Sequence, residues 1–187
     1  VDGQHHERLT DINMHVCEGE IVGIAGVEGN GQYELVNSIM GLIHVTQGNI
    51  KVNNIDITKL DILERRKHIS FVSQNRGKMG AAVNASILEN LMMTHHRLNP
   101  KFTRWNGLLL NEKYAREFTN QIENQFSIVM DKMDNPFRSL SGGNQQKVIL
   151  GREFLLDTPF ILLDQPTRGL DVGSIEYVHE LILRMKV

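Results

Sequence analysis

The sequence predicts an α/β fold with a parallel sheet, and three observations support this prediction. Segments with strand composition alternate with segments of helical periodicity along most of the chain. A glycine-rich loop, Gly26–Gly31, joins an apolar segment to an amphipathic one. Phe160–Leu163 is a continuous apolar run between two helical segments, a pattern typical of a central parallel strand. One α/β core fits in 187 residues.

The amino-terminal part of the chain predicts strands, a loop and one helix. Strand composition occurs in three segments, Ile12–Val16, Glu20–Ala25 and Ile69–Ser73, the last of which ends at Gln74. Helical periodicity over Gln32–Met40 predicts a helix that Gly41 ends. Gln47–Asn49 predicts a turn between two short β segments.

The middle of the chain, from about Gly80 to Arg138, predicts mostly helical structure. Ser86 is placed to cap a helix over Ile87–Thr94. Asn111 is placed to cap a second helix that runs to about Phe126. We therefore interpret this segment as a helical subdomain inserted into the α/β core.

The carboxyl-terminal part returns to strand and helix alternation. A helix is predicted over Asn144–Leu156, and Asp157–Pro159 breaks the helical pattern before the apolar run. A final helix is predicted from near Gly173 to the end of the chain. The apolar run therefore lies between two helices, as a parallel strand requires.

Composition excludes several classes of function. The net charge is −2 and 22% of the residues are charged, so we expect no nucleic-acid partner and no polybasic membrane patch. The single cysteine, Cys17, excludes an internal disulfide and fits a reducing compartment. The apolar stretches are shorter than the roughly 20 residues that a spanning helix needs. Any membrane role is therefore expected to depend on a partner.

The glycine-rich loop has the glycine spacing of a phosphate-binding loop. The candidate nucleotide-binding residues are Gly26, Val27, Glu28, Gly29, Asn30, Gly31, Gln32 and Tyr33. Phosphate loops continue with Lys, which meets the phosphates, and Ser or Thr, which ligates Mg²⁺; this chain has Gln32 and Tyr33 there. A dinucleotide fingerprint fits less well because it requires glycine where Glu34 stands. A plain strand-to-helix turn remains the structural alternative.

Asp164 and Gln165 follow the apolar run directly. A carboxylate at the carboxyl end of a buried strand can hold a Mg²⁺-bound water, although such a residue can also simply end a strand. Gln165 has the shape of a glutamate, but its amide cannot accept a proton and so cannot act as a general base. Where a reaction needs a general base, its loss costs roughly 10²- to 10⁴-fold in rate.

Leu140–Lys147 reads Leu-Ser-Gly-Gly-Asn-Gln-Gln-Lys. A hydroxyl, bare backbone N–H groups and a helix amino terminus would all face one spot there, which predicts an anion site. An ordinary loop that ends in a helix cap is the alternative for Ser-Gly-Gly alone. The candidate residues of this signature segment are Leu140, Ser141, Gly142, Gly143, Asn144 and Gln145.

The order of these motifs resembles the nucleotide-binding domain of an ABC transporter over essentially the whole chain. More narrowly, the motifs look like the second of two fused ATPase domains in nucleoside and simple-sugar importers. The resemblance implies a P-loop NTPase core with an antiparallel β subdomain, residues 1–79 and 139–187, and an inserted helical subdomain, residues 80–138. It also implies a core truncated at its carboxyl end, with the family's switch histidine beyond Val187.

The resemblance assigns roles by position. Gln74 matches the Q-loop glutamine and Asp171 the D-loop aspartate at a dimer interface. Gln74, Asp164 and Gln165, which stands at the catalytic glutamate position, match the catalytic residues, and Asp164 with Gln74 matches the metal site. ATP and Mg²⁺ are the implied cofactors, held weakly or not at all by this domain's own loop. The signature residues would complete the site of another domain in trans.

The resemblance also implies partners. These are a first ABC ATPase domain, membrane permease subunits at the cytoplasmic face of the cell membrane and, indirectly, an external solute-binding protein. Ser86–Met93, with Arg76 and Met79, would face the permease or pack on its own subdomain. His5 and His6 lie near the position of the family's adenine-stacking aromatic residue. A regulatory nucleotide sensor and a soluble non-transport ABC protein remain the alternative functions.

Overall fold

The computed structural model describes residues 9–105 and 107–186, so His5 and His6 lie outside the described residues. The helices are α1 Gln32–Met40, α2 Ile62–Arg65, α3 Ile87–Leu98, α4 Glu112–Gln125, α5 Gly142–Phe154 and α6 Val172–Arg184. The strands are β1 Lys51–Val52, β2 Ile55–Asp56, β3 Ile69–Val72, β4 Thr103–Arg104, β5 Leu109–Leu110 and β6 Phe160–Leu163. A π-helical turn, Arg76–Gly80, follows β3.

The predicted α/β class is confirmed, with both parallel and antiparallel strand pairs. β3 and β6 pair in parallel, with Ile69 opposite Phe160 and Val72 opposite Leu163. β1 pairs antiparallel with β2, and β4 pairs antiparallel with β5. Because β3 and β6 run in the same direction, the residues that follow them emerge at one edge of the sheet.

The two predicted amino-terminal strands, Ile12–Val16 and Glu20–Ala25, are wrong. Neither segment forms a strand, and Ile21 and Ile24 are 50% and 56% exposed. Within the described part of the chain, β3 and β6 pair only with each other. An apolar composition favours a strand, but a strand exists only where another strand accepts its backbone hydrogen bonds. In the described residues β6 has a neighbouring strand on one edge only, and it is half-buried rather than fully buried as a central strand would be.

The predicted turn at Gln47–Asn49 is also misplaced. Residues 46–48 form a bend before β1, whereas the hairpin between β1 and β2 turns at Asn53 and Asn54. Both asparagines have left-handed backbone angles, φ 47° and 64°. Asparagine tolerates these angles better than most residues, and they match the tight turn of a two-residue hairpin.

Helix prediction succeeded where capping residues marked the boundaries. Ser86 and Glu89 form a reciprocal capping box at the start of α3, which continues to Leu98 rather than ending at Thr94. Asn111 caps α4 as predicted. The prediction for α5 is wrong at both ends, because Ser141 caps a helix that begins at Gly142 and ends at Phe154.

The core lies mainly where α3, α4 and α5 pack together. Leu91, Ile122 and Leu150 are fully buried there. Gly151 allows the helices to approach closely, because a Cβ at this position would lie 2.8 Å from Cγ2 of Ile122. The helical part is therefore packed directly on α5, the helix that leads into β6.

A buried ionic network joins α5 to the rest of the fold. Nε of Arg152 donates to Oε1 of Glu153 at 2.9 Å, and Oε2 of Glu153 pairs with Arg66. Glu153 also accepts the backbone N–H of Phe71 in β3 at 3.2 Å. The other guanidinium nitrogens of Arg152 donate to the carbonyls of Asn90 and Gly80 at 3.1 Å and 2.7 Å. One residue pair thus holds α5 to β3, to α3 and to the π-helical turn.

His95 of α3 belongs to the same network. Its Nε2 lies 2.8 Å from the carbonyl oxygen of Arg152. Burial lowers the pKa of His95, since the charged imidazolium would lose its hydration there. We therefore describe His95 as a neutral residue of the core.

Glu153→Gln should destabilise the fold, because it leaves the buried Arg152 and the partly buried Arg66 without their compensating negative charge. We expect the free energy of unfolding to fall by about 3–5 kcal/mol in urea titrations followed by circular dichroism. Glu180→Gln is the matched control, since its partner Arg184 is exposed and such a pair contributes about 0–1 kcal/mol. Equal losses in the two variants would contradict this role of the network.

Candidate functional site

The parallel pairing of β3 and β6 brings Gln74 and Asp164 together at one sheet edge. The backbone N–H of Asp164 donates to the carbonyl of Val72 at 2.8 Å. The backbone N–H of Gln74 lies on the same side of the sheet edge as the Asp164 carboxylate and acts to lower its pKa. Burial raises the pKa of Asp164, and the Gln74 N–H and the charge of Arg168 oppose that rise. Two oxygen-bearing side chains therefore start from neighbouring positions, as a Mg²⁺ site requires.

Gln165 is exposed and has a left-handed backbone conformation with φ 45°. Such a conformation costs a residue other than glycine roughly 1–3 kcal/mol. The carbonyl of Gln165 accepts the N–H of Arg168 at 3.1 Å, which closes the turn after the strand. The turn therefore fixes the backbone of this position, while its amide side chain supplies no base.

The side chain of Gln32 folds back over the glycine loop. Gly29 and Gly31 have φ values of 93° and 99°, which only glycine adopts readily. Nε2 of Gln32 donates to the carbonyl of Val27 at 3.2 Å. The same nitrogen lies 2.2 Å from the point where a Cβ on Gly26 would stand. The Gln32 amide thus covers the start of the loop.

The loop as folded offers neither a cation nor a small hydroxyl side chain to a phosphate. Residues 26–33 contain no cation, and Glu28 adds a negative charge. Gly31 precedes α1 without a side-chain cap, so the helix amino terminus offers only backbone N–H groups. Tyr33 is 64% exposed, and its hydroxyl stands farther from the backbone than the serine or threonine hydroxyl that ligates Mg²⁺ in a phosphate loop.

The signature segment forms an exposed helix amino terminus. Oγ of Ser141 accepts the backbone N–H of Asn144 at 3.3 Å and lies 3.2 Å from its Nδ2. Oδ1 of Asn144 accepts the N–H of Val129, which ties the turn to the segment after α4. Nε2 of Gln145 donates to the carbonyl of Leu140 at 3.0 Å. Ser141 and Gly142 are exposed, so this terminus is accessible from outside the chain.

Gly143 places the signature segment against the start of α6. A Cβ on Gly143 would lie 2.4 Å from Oγ of Ser174. Asp171 caps α6, accepting the N–H of Ser174 at 3.0 Å and its hydroxyl at 2.8 Å. These hydrogen bonds lower the pKa of Asp171. The amino termini of α5 and α6 therefore lie side by side.

Arg76 connects this pair of helices to the turn after β3, a contact that sequence reasoning missed. Its guanidinium donates to the carbonyl of Arg168 at 3.1 Å and lies 3.5 Å from that of Gly169. It also lies 3.9 Å from the Cβ position of Gly142. A contact between residues this far apart in sequence leaves no local pattern, so no signal in one sequence could have identified it.

Two groups of candidate residues are therefore assembled, and the glycine loop stands apart from both. Gln74 meets Asp164, and the signature segment meets Asp171 through Ser174. Among the described residues, no hydrogen bond or ion pair joins residues 26–33 to either group. In the described residues, no hydrogen bond or ion pair thus links the glycine loop with the signature segment.

A cavity of about 120 Å³ lies beside the π-helical turn. Met79, Met93 and Thr94 contribute to its wall, and its charged lining consists of Arg66, Arg152 and Glu153. Ile87, Leu88, Leu91 and Met92 of α3 are buried in the core, which fits the alternative that α3 packs on its own subdomain. Met79 and Met93 remain 51% and 44% exposed and form the accessible part of this region.

Comparison with known protein families gives one clear match. The sequence model of the family described as ABC transporter matches residues 9–168. None of the helices in the described residues has the length and apolarity that crossing a membrane requires.

Several curated proteins and solved structures are similar to the chain. Nucleoside import ATP-binding protein NupA of Lactococcus lactis is 34% identical over 183 residues, which cover 96% of this chain and 35% of that protein. Guanosine import ATP-binding protein NupO of Bacillus subtilis is 35% identical, with 96% and 35% covered. Glucose import ATP-binding protein TsgD13 of Haloferax volcanii is 37% identical, with 97% and 33% covered.

A solved structure gives the same match in three dimensions. The dimeric, post-hydrolysis ATP-binding cassette MJ0796, bound to ADP and Pi, superimposes with a TM-score of 0.77 at 27% identity. The match covers 96% of this chain and 75% of that one. The chain spans about a third of the length of the curated relatives, 33–35%.

Gln32→Lys should tighten ATP binding by the chain, because a charged donor replaces a neutral one in the loop. Charge-assisted hydrogen bonds contribute about 1–2 kcal/mol more than neutral ones, which corresponds to roughly 5- to 30-fold in the dissociation constant. Isothermal titration calorimetry measures the effect. Gln121→Lys on the exposed face of α4 adds the same charge elsewhere and is the control. Unchanged affinity in Gln32→Lys would contradict this account of the loop.

Gly143→Ala should destabilise the contact between α5 and α6, because its Cβ would overlap Oγ of Ser174. We expect a loss of about 1–3 kcal/mol in the free energy of unfolding. Gly142→Ala is the control: its Cβ meets nothing nearer than 3.9 Å, so it should be neutral or slightly stabilising. Adding Ser174→Ala to Gly143→Ala should recover part of the loss. A double variant no more stable than Gly143→Ala would count against the proposed overlap.

Proposed function

Because this chain belongs to the ABC transporter family, we propose that it is an ATP-binding domain of an importer for nucleosides or simple sugars. Relatives named for nucleoside, guanosine and glucose import support this class of solute. Within such an importer, the proposed role of the chain is to couple ATP binding and hydrolysis to solute uptake. The solute itself would be recognised by other subunits.

The exposed signature terminus is the observation that carries the proposal. Ser141 Oγ accepts hydrogen bonds from Asn144, so its hydroxyl hydrogen is available to donate outward. The backbone N–H groups at the start of α5 add the positive end of the helix dipole. A phosphate presented by a second ABC ATPase domain fits this terminus. The dimeric state named for MJ0796 supports such a pairing.

The glycine loop supports the second part of the proposal, that the chain's own nucleotide site is degenerate. Gln32 and Tyr33 replace the cation and the small hydroxyl residue of a phosphate loop, and the Gln32 amide already contacts Val27. Gln165 replaces the family's general base. Residues 26–33, Gln74, Asp164 and Gln165 would therefore form a site that holds Mg²⁺ and ATP weakly and does not hydrolyse it.

Membership of the family also supports a division of the chain into subdomains and a contact with a permease. Residues 1–79 and 139–187 would form the core and β subdomain, and residues 80–138 the helical subdomain. The exposed Met79 and Met93 beside the cavity offer an apolar surface for a cytoplasmic helix of a permease subunit. The domain would then sit at the cytoplasmic face of the membrane, with Asp171 at the interface between the ATPase domains.

The proposal predicts unequal effects of two substitutions on ATP hydrolysis by the assembled importer. Ser141→Ala should lower the hydrolysis rate by roughly 10²-fold, because it removes a donor to developing phosphate charge in the working site. Asp164→Asn should leave hydrolysis nearly unchanged, because it alters only the degenerate site.

Cap loss at Ser141 needs its own control. Asp61→Ala removes the cap of α2, which is not part of the signature segment, and this variant should leave hydrolysis unchanged. Equal losses in Ser141→Ala and Asp164→Asn would refute the asymmetric assignment. Full activity in Ser141→Ala would refute the role of the signature.

A further inference from the structure

The hairpin formed by β4 and β5 ends in an exposed apolar tip. Trp105 and Leu108 are 78% and 79% exposed, and Leu109 and Leu110 are 52% and 57% exposed. We call these four residues the hairpin tip. Single exposed apolar residues are common on proteins, but a contiguous group of large ones marks an interaction surface.

The base of the hairpin is anchored firmly. Phe102, immediately before β4, is completely buried, and its ring makes edge contacts with Tyr114 and Phe118 at centroid distances of 4.9 Å and 5.0 Å. Asn111 closes the base, donating its backbone N–H to the carbonyl of Phe102 at 2.8 Å and Nδ2 to that of Lys101 at 3.0 Å. The fold therefore holds the tip away from the core.

Cations flank the hairpin tip in the sequence although the whole chain has a net charge of −2. Residues 97–113 contain four cations, Arg97, Lys101, Arg104 and Lys113, all exposed, and one carboxylate, Glu112. Arg104 pairs with Leu109 across the hairpin, so these two side chains share one face. The net charge of the whole chain conceals this local excess of cations.

We propose that the hairpin tip binds directly to the surface of an anionic phospholipid bilayer. Tryptophan favours the interface between headgroups and acyl chains, and leucines enter the acyl boundary. The surrounding cations match the phosphate headgroups above that boundary. This contact supplements the permease as a means of holding the domain at the membrane.

A second copy of the chain fits the hairpin tip less well. A symmetric contact would set tip against tip and bring the two sets of four cations together. An anionic bilayer satisfies both the apolar residues and the charges. The side of the domain that would face the bilayer follows from α3. This helix contributes Met93 and Thr94 to the cavity beside which we place the permease contact, and it ends at Leu98, just before the hairpin. The inference rests on the proposed function only for placing the domain beside a membrane.

Trp105 provides a direct test, because it is the only tryptophan of the chain. Its emission should shift to the blue on addition of vesicles of phosphatidylcholine with phosphatidylglycerol, but not with phosphatidylcholine alone. Brominated acyl chains should quench it, and high salt should reverse the shift. Unchanged emission with anionic vesicles would overturn the proposal. So would a blue shift that grows with protein concentration in the absence of lipid, which indicates self-association.

Vesicle sedimentation with paired variants separates the hairpin tip from other apolar surface. Leu108→Ser combined with Leu109→Ser should weaken binding to the anionic vesicles by about tenfold or more. Ile21→Ser combined with Ile24→Ser removes apolar side chains of 50% and 56% exposure elsewhere and should leave binding unchanged. Lys101→Glu with Arg104→Glu should abolish the preference for anionic lipid.

Equal weakening by the two serine pairs, or no effect of the charge reversals, would overturn the assignment to the hairpin tip. The proposed function is tested separately, by the hydrolysis rates of the Ser141 and Asp164 variants. Vesicle binding can therefore fail while the importer assignment stands, and the reverse also holds.

Discussion

The buried pair of Arg152 and Glu153 determines where α5 lies, and the rest of the structure depends on that helix. The amino terminus of α5 carries the signature segment, and the chain beyond its carboxyl end enters β6 and reaches Asp164. Glu153 binds β3 through Phe71, whereas Arg152 binds α3 through Asn90. A charged pair is costly to bury unless its partners are all in place, so this network favours one arrangement of helices and sheet.

Sequence reasoning succeeded where the determining interactions are local. Ser86 and Asn111 cap their helices with hydrogen bonds to residues three positions later, a spacing that the sequence displays directly. Gln74 and Asp164 were assigned to one site only through the family resemblance, because the parallel pairing that brings them together joins strands far apart in the sequence. Local chemistry thus gave the starts of α3 and α4, and the resemblance supplied this part of the candidate site.

The rest could not be predicted because it depends on pairing between distant segments. Glu20–Ala25 has the composition of a strand, but no strand in the described residues pairs with it. The β4–β5 hairpin was missed within a helical region because its strands are only two residues each. Gly143 gave no sign of its contact with Ser174, which lies in the next helix. The hydrogen bond from the Gln32 amide to the Val27 carbonyl depends on the side-chain rotamer, which the composition of the loop does not predict.

The left-handed backbone at Gln165 bears on how the nucleotide site that we propose to be degenerate could change over evolutionary time. The turn that fixes this position is set by the backbone, so a carboxylate could replace the amide without rebuilding the turn. Such a change alone would place a second negative charge next to the half-buried Asp164, whose pKa burial already raises. Relative to the family pattern of lysine and glutamate, Gln32 and Gln165 remove one positive and one negative charge. In the proposed site the two glutamines would therefore leave the net charge unchanged, and we expect reversion to require both positions together.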